Sequence, residues 1–166
     1  MQTDSQSPSC RSSQTPPAVA AYSRAVNAGE FVAVSGTTAT DERGLVVGGG
    51  QMYVQARQAL TNIRTALERM GLSMQDVFRT RMFVTDISRF AEVARAHHEF
   101  FAQAPPASTM VEVKALVHPA MLIEIEADAY RGSAPPARQP KPAGRAKPGA
   151  KTAGKKTSAS KSKRRR

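Results

Sequence analysis

The chain has 166 residues, enough for one ordinary domain with tails. Its formal charge of +11 is concentrated at one end: from Arg131 onward there are 13 Lys+Arg and no acid, leaving 11 basic and 13 acidic residues before that point. A near-neutral body and a basic segment exclude a uniformly basic globule. The lack of any run of about 18 apolar residues argues against a membrane span, and the single cysteine, Cys10, excludes a disulfide within the chain.

Residues 1–17 are mostly Ser, Gln, Thr and Pro without apolar periodicity, which predicts a disordered leader. They lack a basic start followed by an apolar run, as a secretory signal would have. With the lone cysteine this fits a reducing, cytoplasmic setting. Residues 18–130 carry the pattern of a folded domain. Ala21–Val26 and Phe31–Gly36 are short β-rich runs separated by Asn27-Ala28-Gly29, a hairpin signal. Leu45–Val47 is a brief apolar piece that predicts a further short strand, and Gly48-Gly49-Gly50 then breaks the pattern.

Gln51–Met70 is a helix by periodicity. Ala56, Ala59, Leu60, Ile63, Ala66, Leu67 and Met70 recur at steps of three and four, and Gly71 follows as a stop. Ser73-Met74-Gln75-Asp76 reads as a variant capping box around one tight turn. Val77–Ile87 predicts a strand. Ser88 is the expected N-cap of a second helix reaching about Gln103, with a stripe of Phe90, Val93, Ala94, His97 and Phe101, ended by Pro105-Pro106.

The 26 residues from Pro105 to Tyr130 read as two strands joined by a short turn. In the first, Thr109, Val111, Val113 and Ala115 oppose Ser108, Met110, Glu112 and Lys114. In the second, Ile123, Ile125, Ala127 and Ala129 oppose Leu122, Glu124, Glu126 and Asp128. One face suits helices. The other is expected to gather Arg79, Arg81, Glu112, Glu124 and Glu126 with Met110 and Leu122. The whole predicts an α+β layer: a mixed, mostly antiparallel sheet with two amphipathic helices on one face. The mixed second face suits neither full exposure nor full burial, which points to a homo-oligomer with opposite charges paired at its contacts.

Arg131–Arg166 is almost wholly Lys, Arg, Ala, Pro, Gly, Ser and Thr and is expected to be disordered. Such a segment binds polyanions by phosphate neutralisation, without sequence readout. Lys155, Lys156, Lys161, Lys163, Arg164, Arg165 and Arg166 are its densest cations. DNA or RNA is the expected partner on this alternative, with association to a nucleoid; the other reading is a solvated appendage.

Several pieces together resemble the Rid family, the reactive-intermediate deaminases also called the YjgF group. They are Tyr22-Ser23-Arg24-Ala25-Val26, Val34-Ser35-Gly36, Gln55 to Ile63, Phe83-Val84-Thr85-Asp86-Ile87, Val111-Glu112-Val113 and Ile123-Glu124-Ile125-Glu126-Ala127. The resemblance spans about Ala20 to Tyr130. It implies a chorismate-mutase-like fold, a homotrimer around a central barrel, and pockets for small metabolites between subunits. It also implies cofactor-free and metal-free hydrolysis of imines and enamines to carbonyl compounds and ammonia, with an arginine on the substrate carboxylate and a glutamate handling water. Tyr22, Ser35 and Gly36 match pocket positions and Glu124 matches the glutamate. The family's Ala-Arg-Ser-x-Val-Glu-Val is here Ala107-Ser108-Thr109-Met110-Val111-Glu112-Val113, so Ser108 stands where the arginine belongs and Met110 where a cysteine is common. Ser108, Thr109 and Met110 are carried over as substrate-binding positions.

The departure has physical weight. A guanidinium grips a carboxylate bidentately, whereas a serine offers one neutral donor. Losing a charged hydrogen bond costs about 1.5–3 kcal/mol. Lys114 is six residues along the strand, roughly 20 Å away, and is no substitute. Glu124 has a rival reading as a structural carboxylate paired with Arg79 or Arg81. His97-His98 is not a metal motif, since adjacent helix residues diverge by about 100° and no further ligands accompany them. No Gly-x-Ser-x-Gly surrounds Ser35, and no Lys-Ser/Thr follows the Gly48–Gly50 run.

Overall fold

The computed structural model describes residues 21–132. The expected leader, and the basic segment beyond Gly132, lie outside the described residues.

Five strands and two helices occur in the order β1 (Ala25–Ala28), β2 (Phe31–Thr38), α1 (Met52–Arg69), β3 (Val77–Val84), α2 (Phe90–Phe101), β4 (Ala107–Glu112) and β5 (Ile123–Tyr130). The sheet order is β1-β2-β5-β3-β4, with β3 and β4 parallel and every other pair antiparallel. The α+β layer is thus as expected. Both helices lie over the face formed by Val32, Val34, Thr80, Met82, Val84, Ile123, Ile125, Ala127 and Ala129, all buried.

Local chemistry sets the element ends. Gly71 takes φ +71° after α1, its amide bonding Glu68 O at 3.0 Å while Leu72 N reaches Leu67 O at 2.9 Å. That paired closure is a Schellman motif, which favours glycine at the left-handed position. Arg131 Nη2 donates to Met70 O at 2.5 Å, placing a cation beside this helix C-terminus. The Ser73–Asp76 box forms: Asp76 Oδ2 accepts from Ser73 N at 2.7 Å and Ser73 Oγ accepts from Gln75 N at 3.3 Å.

Four expectations are corrected. The segment at Leu45–Val47 makes only an isolated bridge, Val46 to Thr40, because a three-residue piece beside the glycine run has no strand edge to extend. The entry to α2 is capped by Asp86, whose side chain accepts from Ser88 N at 3.0 Å; one 3-10 turn, Ile87–Arg89, intervenes before the helix. The buried stripe of α2 is Val93, Ala96 and Phe101, with Phe100 partly buried; Phe90 is 58% exposed and Ala94 faces out. Finally, β4 and β5 are not a hairpin. β3 lies between them, so Ser108 and Met110 face the helices and Thr109 and Val111 face outward with Arg81 and Phe83. An edge strand with apolar residues on both faces gives no alternation that fixes its sidedness.

Candidate functional site

The site begins with an irregularity in β2. Val34 pairs with Ala127 and Thr37 with Ile125, so Ser35 and Gly36 together oppose Glu126. Two residues against one is a β-bulge, a device that re-aims side chains. The bulge is tied down locally. Ser35 Oγ donates to Ser23 O at 2.7 Å, Ser35 N to Arg24 O at 3.0 Å, and Thr37 Oγ1 to Ser35 O at 2.7 Å. Arg24 Nη1 donates to Gly36 O at 3.3 Å and to Thr37 Oγ1 at 3.1 Å.

Glu124 projects from β5 onto this bulge. A Cβ at position 36 would lie 1.8 Å from Glu124 Oε1 and 2.8 Å from its Cδ. Only glycine leaves room for the carboxyl there. Burial pushes the Glu124 carboxyl above the ordinary carboxylate range, the neighbouring Glu126 charge adds to the rise, and the Arg24 charge opposes it. The rival pairing of Glu124 with Arg79 or Arg81 is not formed. Arg81 Nη1 instead meets Asp128 Oδ2 at 3.2 Å and Glu126 Oε2 at 3.4 Å. A half-buried carboxyl with a raised pKa and no ion pair is suited to taking up and giving back a proton.

Ser108 lies elsewhere. Its hydroxyl is 2.9 Å from Thr80 Oγ1, which in turn is 3.1 Å from His97 Nε2. Thr80 is fully buried, and burial holds His97 below its usual range, hence neutral. This hydroxyl chain is on the helix side of the sheet, whereas Glu124 is on the open side. One protomer therefore brings Glu124, Ser35 and Gly36 together but separates them from Ser108 and Met110. Thr109 is on the open side, at the register of Arg81. Tyr22 is 47% exposed, two residues before Arg24. The seven cations from Lys155 to Arg166 lie outside the described residues.

A surface groove of about 510 Å³ lies along α1 and is lined by Arg24, Asp41, Glu42, Asn62 and Arg69 among others. It shares Arg24 with the site but not Glu124, so it is not the cleft around the carboxyl. Among the described residues, no group of three His, Cys, Asp or Glu is placed to hold a metal ion. No helix there is long and apolar enough to cross a membrane. Arg24 and Thr80 were not singled out from sequence. Arg24 stood within the Tyr22–Val26 motif, yet only the bulge shows where its guanidinium goes. Nothing in spacing marks Thr80.

The fold and this site define a class: a small α+β protein whose open sheet face carries a half-buried carboxyl over a glycine bulge. The family model "Endoribonuclease L-PSP" matches residues 12–131, and the chain belongs to that family, which takes in the Rid and YjgF proteins. It is 35% identical over 116 residues to the 3-aminoacrylate deaminase RutC of Acinetobacter baylyi, covering 70% of this chain and 91% of that one. It is 35% identical over 119 residues to the 2-iminobutanoate/2-iminopropanoate deaminase of Salmonella typhimurium, with the same coverages. Among solved structures, Rv2704 of Mycobacterium tuberculosis, described as a member of the YjgF/YER057c/UK114 family, superposes with a TM-score of 0.67 at 42% identity, covering 75% of this chain and 98% of that one.

Proposed function

We propose that this protein is a cofactor-free imine and enamine deaminase whose cleft is completed by a neighbouring copy of the chain. The observation that carries the reading is the Glu124 carboxyl lodged on Gly36, with its pKa raised and no ion pair. The two deaminase relatives, at 35% identity each, support the reaction class.

The chemistry follows from that carboxyl. Ionised Glu124 accepts a proton from a water as its oxygen attacks the imine carbon. Glu124 passes that proton to the imine nitrogen, so the C=N bond becomes a carbinolamine, C(OH)NH2, and the carboxylate is restored. Glu124 then takes the hydroxyl proton and delivers it to the amine nitrogen as the C–N bond breaks, so the carbonyl forms and ammonia leaves. Water and imine give carbonyl and ammonia with the carboxyl unchanged. A raised pKa shortens the gap between the base and acid roles, which is what two-way proton transfer requires.

The opposed placement of Ser108 and Glu124 supports a shared cleft, in which a neighbouring copy's β4 edge approaches the Glu124 side. Three copies around a barrel is the assembly that the resemblance implies. The open face, with Arg81, Glu126, Asp128, Phe83 and Val111, supplies charge and apolar surface for such contacts. The direct test is ammonia release from freshly generated 2-iminopropanoate and from 3-aminoacrylate. Acceleration over the uncatalysed rate supports the reading, and none with either compound contradicts it.

A further inference from the structure

Hydrolysis of an imine needs one proton carrier, Glu124. An enamine, C=C–NH2, must first become an imine by gaining a proton on its β-carbon while losing one from nitrogen, and that exchange calls for a second carrier. The helix side of the sheet holds a candidate. Thr80 and Ser108 stand opposite each other in the β3–β4 register, with their hydroxyls 2.9 Å apart. Thr80 is fully buried, whereas Ser108 is exposed on the edge strand β4. His97 Nε2 lies 3.1 Å from the same Thr80 Oγ1. Phe101 packs on the imidazole with ring centroids 4.4 Å apart, and burial holds the ring below the usual histidine range, which keeps it neutral. Its Nδ1 has no partner among the described residues yet is not sealed in the core, so it meets water. Thr80 has one hydroxyl proton, and leaving that proton buried without an acceptor is costly. Two hydrogen-bond patterns satisfy it. In one, Ser108 donates to Thr80 and Thr80 donates to Nε2. In the other, Nε2–H donates to Thr80, Thr80 donates to Ser108, and the Ser108 proton is free to point outward. The two patterns differ by the tautomer of His97.

We infer that Ser108, Thr80 and His97 form a proton relay that delivers a proton to the β-carbon of an enamine held in the shared cleft. The inference rests on the deaminase reading above and adds a second proton carrier to it. Glu124 takes a proton from the enamine nitrogen as Ser108 Oγ gives one to the β-carbon, and C=C–NH2 becomes HC–C=NH. In the same motion Thr80 passes its proton to Ser108, Nε2–H passes one to Thr80, and Nδ1 takes one from water. His97 ends neutral as the other tautomer, so no alkoxide or imidazolium is left in the core. Glu124 releases its proton to solvent, which balances the one that Nδ1 took. Ser108 is the catalytic residue of this step, and Thr80 and His97 are positioning residues that act through it.

The test compares ammonia release by the full chain from 3-aminoacrylate, an enamine, and from freshly generated 2-iminopropanoate, an imine. Thr80→Val removes the central hydroxyl and Ser108→Ala the terminal one. Each should lower the enamine rate about tenfold or more relative to the imine rate. Thr80→Ser keeps the hydroxyl and should restore the wild-type balance of the two rates, whereas Glu124→Gln should lower both. A folding defect would also lower both rates together. Long-range 1H–15N NMR of the His97 ring reads the relay without turnover: wild type should show two tautomers in exchange, and Thr80→Val should change their proportions. The inference is overturned if Thr80→Val and Ser108→Ala leave the two rates in their wild-type balance. If wild type releases ammonia from neither compound, the deaminase reading falls; the relay then stands if the tautomers respond to Thr80→Val and falls if His97 holds a single tautomer in both proteins.

Discussion

Glu124 and Gly36 form one functional unit, because the carboxyl occupies the volume that any Cβ at position 36 would take. The clash at 36 is with the end of a flexible side chain, so Gly36→Ala should turn the carboxyl aside without breaking the sheet. A displacement of about 1 Å can cost roughly a hundredfold in rate. The expected outcome is therefore a turnover loss of about that size with stability changed by less than about 1 kcal/mol, read from ammonia release and chemical denaturation. The raised pKa of Glu124 has a second consequence. Its folded-state value lies above its unfolded one, so its contribution to stability is full below the ordinary carboxylate value of about 4.5 and is lost as pH rises through the raised value. Glu124→Gln lacks that loss. It should melt above wild type at pH 8, and the difference should disappear at pH 4, as followed by calorimetry.

At the scale of elements, β5 is aligned by a buried amide. Gln55 of α1 is fully buried; its Nε2 donates to Gly49 O at 2.9 Å and Ala120 O at 2.8 Å, and its Oε1 accepts from Leu122 N at 2.8 Å. Leu122 leads directly into Ile123 and Glu124, so the helix fixes where the site strand begins. Gln55→Ala removes a fully buried side chain and the partner of three backbone groups, and should cost roughly 1–3 kcal/mol in a urea titration. Gln55 was legible only as part of the family-like Gln55–Ile63 run; periodicity marks the stripe but not what a polar residue at its head will bond. The helix ends were more legible. Gly71 and the Ser73–Asp76 box act through neighbours within a few residues, and both form as their chemistry dictates. The sidedness of β4 was not, because pairing with β3 rather than β5 is a long-range choice. Ser108 consequently faces Thr80 and His97 instead of sharing a face with Glu124.

For the molecule as a whole, α1 and α2 cover one face of the sheet while the other carries Arg81, Glu126 and Asp128 beside outward Phe83 and Val111. That imbalance was readable from alternating residues in β3 and β5 before the strand order was known. The bulge was not readable, since Ser35-Gly36 departs from alternation by a single residue and shows only against its partner strand. Light scattering should give three times the chain mass at micromolar concentration, and Arg81→Glu, which sets like charges against Glu126 and Asp128, should shift the population toward smaller species. A stable monomer with full ammonia release would remove the need for a shared cleft. The most direct measurement of the account is the rate of 2-iminopropanoate hydrolysis by wild type and by Glu124→Gln at equal folded concentration. The predicted result is acceleration by the wild type that falls at least about a hundredfold in the variant. An unchanged rate in Glu124→Gln would contradict the role given to that carboxyl.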